Sequence, residues 1–183
     1  NKHFQKWLAH PAIDAYWDSY NPTPAQLAKL DLPILSITGQ YDGDQPGALE
    51  FWDQFQAHAS AAAKDKHWLI IGPWDHAGTR TPMAEFGGVK FADASVMDLN
   101  VLHKQWYDWT MKDGAKPEFL KSRVAWYQAG REEWRYADSI EGLTASRKAL
   151  YLHSIDDRAN DVFLSGALLP EPEKTGGIDS YVY

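Results

Sequence analysis

The chain has 183 residues and a mass of 20.7 kDa, with 44% hydrophobic and 23% charged residues, enough for one ordinary domain or two small ones with their own cores. Its net charge of −7, with acids and bases interspersed, argues against nucleic acid or an anionic membrane as the main partner. Zero cysteines exclude disulfides, thiolate metal sites and a cysteine nucleophile, and no apolar run approaches the length that spans a bilayer.

Residues 1–31 are rich in aromatics and broken by Pro11, Pro22 and Pro24, which predicts short helices joined by turns, one of them starting at Pro24 in "TPAQLAKL". Ile34 to Thr38 is short, apolar and β-branched and ends at Gly39, the pattern of a buried strand. Pro46 suits the first turn of a helix, which continues with Leu49, Trp52 and Phe55 at helical spacing. "HWLIIGPW" predicts a second buried strand, and an amphipathic helix is expected from about Ala94 to Lys112, with Val96, Leu99, Leu102, Trp106 and Trp109 near one face. This alternation of strand and helix is the signature of a parallel α/β sheet. After "DGAKPEF" the pattern changes: 122–129, 147–153 and a final "DSYVY" look like strands without helices between them. An all-β domain is therefore expected from about Pro117. The abrupt ends, Asn1 and Tyr183, suggest an internal piece of a longer polypeptide.

In open α/β sheets, function gathers at the carboxyl ends of strands. Asp42, in "GQYDGD", follows the first strand, and His76, in "GPWDHAG", follows the second. A carboxylate accepting from a histidine Nδ1–H fixes the tautomer and stabilises the imidazolium formed when the ring takes a proton. Asp42 could equally be a turn former that caps the following helix, and His76 could simply pack or bond to backbone. Asp44 and Asp75 compete for the acid role, although Asp75 adjoins His76 and suits a loop position better. A metal site from Asp42, Asp44 and His76 lacks the clustered ligand spacing that would support it, and none is expected. No G-x-S-x-G occurs, and the only serines before Asp42 are Ser19, in the helical leader, and Ser36, inside the strand. A nucleophilic serine is thus expected outside this sequence, before residue 1. His67, His103, His153 and the tryptophans at 106, 109, 126 and 134 suit packing or solvent-exposed roles.

"LDLPILSITGQYDGDQPGALEFW", "HWLIIGPWDHAG", "WYDWTMKDG", "VAWYQAGREEWRYADS" and "ALYLHS", in this order, resemble the serine hydrolases related to X-Pro dipeptidyl-peptidase and bacterial cocaine esterase, a group that includes glutaryl acylases and α-amino-acid ester hydrolases. "HPAIDAYW" resembles the segment by which their helical cap returns to the sheet. The resemblance implies the end of a helical cap over 1–31, the C-terminal part of an α/β-hydrolase domain over 32–116, and the beginning of a jelly-roll β-sandwich over 117–183. By motif position, Asp42 matches the family's catalytic acid and His76 its base. Asp44 matches one of the carboxylates that bind a substrate ammonium in the amino-ester hydrolases, but Gln45 stands where a second acid is expected.

The reaction implied is cleavage of an ester or amide through an acyl-enzyme, with no cofactor, a small-molecule substrate, and the remainder of the parent polypeptide as partner. The piece alone is expected to show no triad-dependent turnover. A rival reading is a non-catalytic module binding carbohydrate or protein through its β-domain. Compartment, cytoplasmic or secreted, and oligomeric state, homo-oligomer included, are left open.

Overall fold

The structure, a computed structural model, describes residues 1–154 and 166–172. They fall into two compact units, Asn1–Leu143 and Thr144–Tyr183.

The first unit begins with three short helices, α1 (Lys2–Leu8), α2 (Ala15–Asp18) and α3 (Pro24–Leu27). Each start carries a side-chain cap. Asn1 accepts from the His3 N–H, Asp14 from those of Tyr16 and Trp17, and Thr23 forms a reciprocal capping box with Gln26 ahead of Pro24. Only Leu27 of these helices is buried. It packs with Phe55, Ala59 and Ala63.

Strand β1 (Ile34–Gly39) runs parallel to β2 (His67–Gly72), in register from Ile34 opposite His67 to Gly39 opposite Gly72. Helices α4 (Gln45–His58) and α5 (Ala61–Lys64) connect them, as a parallel crossover requires. Every residue of β2 is buried, which is why it reads as a continuous apolar run. Its side chains alternate between two cores. Trp68 and Ile70 pack with Leu99, Leu102 and Trp106 of α6 (Leu99–Met111), while Leu69 and Ile71 pack with Trp52 of α4. Helices therefore cover both faces of the sheet. Between β2 and α6, the small hairpin of β3 (Glu85–Phe86) and β4 (Val89–Lys90) turns through Gly87 and Gly88.

Helix α6 starts later than the expected Ala94. Asp98 caps it by accepting from the Asn100 and Val101 N–H groups, and residues 93–95 form a separate 3₁₀ turn. Val96, expected on the apolar face, lies outside the helix and is exposed.

The sheet does not stop at residue 116. Strand β5 (Val124–Gln128) pairs parallel to β2, and β6 (Glu133–Ala137) pairs antiparallel to β5, giving the order β1-β2-β5-β6. These strands, read from the sequence as the opening of a β-domain at Pro117, extend the α/β sheet instead. The physical reason is that α6 serves as the crossover from β2 to β5, whereas the tight β5–β6 hairpin, with Gly130 and Glu132 at positive φ, carries an all-β pattern. Glu132 holds that hairpin: it accepts from the Ala92 and Gly130 N–H groups at 2.9 and 2.8 Å and from the Tyr127 hydroxyl at 2.8 Å. These donors lower its carboxyl pKa, the backbone contacts most, while burial first and Glu132 second push the Tyr127 phenol up to about 12.

In the second unit, β7 (Tyr151–His153) pairs antiparallel with β8 (Ala167–Leu169). The strand expected over 147–153 occupies only its last three residues. The expected "DSYVY" strand lies outside the described residues.

Candidate active site

Strands β1 and β2 end side by side at Gly39 and Gly72, and the chain leaves both at the same edge of the sheet. Trp74 stitches the two exits together. Its carbonyl accepts from the Tyr41 N–H at 3.0 Å, the Gln40 N–H donates to the Gly72 carbonyl at 2.8 Å, and the buried indole donates to the Ser95 carbonyl at 2.9 Å. A Cβ at Gly39 would lie 2.0 Å from the Trp74 carbonyl oxygen, and one at Gly72 would lie 2.3 Å from its ring. Glycine is required at both strand ends by close approach rather than by φ.

The loop after β1 turns through Asp42, whose N–H donates to the Gly39 carbonyl and whose Oδ1 accepts from the Asp44 N–H at 2.9 Å. Asp42 is thus a turn former, the plainest reading of a loop aspartate. The same Oδ1 also lies 3.2 Å from His76 Nδ1. The two roles coexist because the turn aims the carboxylate towards the exit of β2. The Asp42 side chain is only 7% exposed, that of His76 is 57% exposed, and that of Asp44 is 80% exposed. Asp44 occupies the N-cap of α4 without making a side-chain cap bond, and its Oδ2 lies 3.3 Å from the same Nδ1.

His76 sits at the start of a tight loop. Asp75 Oδ1 accepts from the Gly78 N–H at 2.8 Å, the Thr79 hydroxyl donates to the His76 carbonyl at 2.7 Å, and the Thr79 and Thr81 N–H groups close further turns. Asp75 therefore serves its own loop and makes no contact with the imidazole. The second ring nitrogen, Nε2, points away from the carboxylates and lies 3.4 Å from Nη2 of Arg80. Sequence reasoning passed over Arg80, although its place four residues after His76 in a loop rich in turn-forming residues was a usable signal. Beside the site, the Tyr41 ring contacts Phe86 of the β3–β4 hairpin and Phe91, with centroids 5.7 and 6.0 Å away.

Donor atoms of Asp42, Asp44 and His76 lie within 4.8 Å of one another, so these three residues offer a partial ligand set for a divalent ion. Two carboxylates and an imidazole would suit zinc in kind. The contacts they already make also satisfy an acid–histidine arrangement with no ion between them.

The other candidates separate from this site. His67 is fully buried at the opposite end of β2, its Nε2 2.9 Å from the Ser36 hydroxyl and its ring among Phe51, Trp52 and Phe55. Burial first, and the nearby Arg123 charge second, lower its pKa to about 4, so the ring is neutral at ordinary pH. Ser19 donates to the Tyr16 carbonyl. His103 is exposed on α6, and His153 is half-buried in the second unit. Trp106 and Trp109 pack with Trp68, Trp134 packs with Trp74, Phe119 and Tyr127, and Trp126 lies against the core that contains Leu69.

Residues 1–78 match the sequence profile of X-Pro dipeptidyl-peptidase (S15 family), a span that includes both Asp42 and His76. No curated protein matches the chain. Solved structures that share its fold include the following three. An aminopeptidase from the marine sediment archaeon Thaumarchaeota archaeon is 20% identical with a TM-score of 0.65, over 85% of this chain and 28% of that one. An α-amino acid ester hydrolase is 19% identical with a TM-score of 0.64, over 92% and 27%. A CocE/NonD family hydrolase from Staphylococcus aureus is 16% identical with a TM-score of 0.54, over 85% and 25%. The chain spans between 25% and 28% of the length of these proteins. Sequence profile and fold together thus bear out the resemblance, read first from the motifs, to the X-Pro dipeptidyl-peptidase and cocaine-esterase-like hydrolases.

Proposed function

We propose that this chain supplies the acid and the base of a Ser-Asp-His hydrolase that cleaves ester or amide bonds through an acyl-enzyme. The serine comes from sequence outside residues 1–183. The observation that carries the reading is the 3.2 Å approach of a nearly buried Asp42 carboxylate to Nδ1 of an exposed His76, at the shared carboxyl edge of two parallel strands. In that arrangement Asp42 holds the Nδ1–H tautomer, leaving Nε2 to take the proton of an attacking serine and return it to the leaving group. Water then attacks the acyl-enzyme by the same route. Asp44, exposed and unused by the helix it caps, is placed to pair with a substrate ammonium. Residues beyond Leu143 begin a β-sandwich, a reading supported by the antiparallel β7–β8 pair.

A binding module of exposed tryptophans finds less support. Trp106 is buried, and the rings at 109, 126 and 134 are half-buried against the first unit's cores.

The test is hydrolysis of short-chain chromogenic esters and X-Pro amides by the full-length protein. Turnover that disappears in His76→Ala is expected, and residues 1–183 alone are expected to be inactive. Robust, His76-dependent turnover by the isolated chain would place the nucleophile inside it and overturn that part of the proposal.

A further inference from the structure

The charges around His76 are arranged by side. Both carboxylates, Asp42 and Asp44, lie at Nδ1, and among the described residues the cation that reaches the ring, Arg80, lies at Nε2. A guanidinium carries donors only, so in this contact Nε2 is the acceptor and the ring proton sits on Nδ1, towards the carboxylates. The contact therefore has a chemical consequence: Arg80 rests on the atom that must move protons. Among the described residues, no carboxylate lies within ion-pair distance of Arg80, and its one side-chain hydrogen bond is this one. Its backbone is fixed, with its N–H donating to the Ala77 carbonyl in the loop that also holds His76. An exposed guanidinium with unused donors, anchored one turn from the base, is a ready partner for a carboxylate.

Resting on the hydrolase reading above, we infer that Arg80 is a specificity-determining residue that selects substrates whose leaving group carries a carboxylate. The side of the scissile bond follows from the atom Arg80 touches, because Nε2 is the nitrogen that returns its proton to the departing oxygen or nitrogen. A group that draws Arg80 must lie close to that departing atom. Pairing with the carboxylate does two things at once: it anchors the leaving group, and it lifts the guanidinium off Nε2, freeing the lone pair for the serine proton. A neutral leaving group gains neither. Arg80 takes no part in bond making, and the proton still passes from serine to Nε2 and from Nε2 to the leaving group.

The experiment compares 4-acetoxybenzoate with its methyl ester, which share an acetyl group and differ in the leaving-group charge, using the full-length protein. The readout is the ratio of the two kcat/KM values, charged over neutral. Arg80→Gln is expected to lower this ratio about tenfold relative to wild type, Arg80→Lys to retain part of it, and 0.5 M salt to lower the wild-type ratio. Because the ratio is internal to each sample, partial loss of folded protein does not move it. Should Arg80→Gln fail to fold, Arg80→Lys and the salt dependence decide. Ratios that stay within twofold across wild type, variants and salt overturn this inference while His76-dependent hydrolysis leaves the hydrolase reading standing. If wild type hydrolyses neither ester, this inference falls while X-Pro amide turnover decides the hydrolase reading; if hydrolysis survives His76→Ala, both fall together.

Discussion

Strand β2 has a histidine at each end, and the two could hardly live in more different surroundings. At its start, His67 touches a serine hydroxyl at 2.9 Å, yet among the described residues no carboxylate reaches the ring and its Nδ1 has no hydrogen-bond partner, and three aromatic rings surround it. Beyond its end, His76 has a carboxylate on one nitrogen and the other turned to an open edge, but among the described residues no serine hydrogen-bonds to it. A serine–histidine contact alone does not make a nucleophile. The ring must be able to accept a charge, which needs a compensating carboxylate, and a substrate must be able to reach it. The buried pair meets neither condition.

This contrast can be broken most decisively at the exposed end. In the full-length protein, His76→Ala is expected to cost about 10⁴-fold in kcat/KM on an ester substrate, with an unchanged circular dichroism spectrum. Asp42→Asn is expected to cost about 10³-fold with the fold intact, since an amide cannot stabilise the imidazolium. A loss below tenfold for either would show that the pair is only a loop contact.

The buried end is expected to answer to pH through stability. The folded pKa of His67, about 4, lies below the unfolded value of 6.5, so the unfolded chain binds a proton first as pH falls. The associated stability is complete above pH 6.5 and is lost progressively down to about pH 4, a change on the order of 3 kcal/mol. Denaturant midpoints of wild type and His67→Phe at pH 7 and pH 4.5 measure it. Equal pH dependence in the two proteins would mean that His67 is already accessible to protons.

A smaller effect separates the two ends cleanly. Ser36→Ala leaves Nε2 of His67 without its partner and is expected to cost about 1–2 kcal/mol of stability while leaving hydrolysis unchanged. Any loss of turnover beyond that explained by unfolding would return Ser36 to consideration as the nucleophile.

Much of this arrangement was legible in the residues. The apolar runs of β1 and β2, the glycine at each strand end and the helical spacing of Leu49, Trp52 and Phe55 announced a parallel sheet, and strand-end positions singled out Asp42 and His76. These signals are local: periodicity and turn chemistry act over a few residues, so a sequence displays them directly. The misreadings were non-local. Nothing between residues 117 and 137 tells a hairpin of a separate β-domain from one whose first strand lies against β2, because that depends on where α6 returns the chain.

The site divides in the same way. The sequence determined that an aspartate and a histidine follow successive strands. Only the tertiary structure decided that they meet through Nδ1, that Asp44 shares that nitrogen, and that Arg80 covers the other. Such distances follow from how Trp74 locks two loops against each other, and packing between distant segments sets them rather than spacing along the chain.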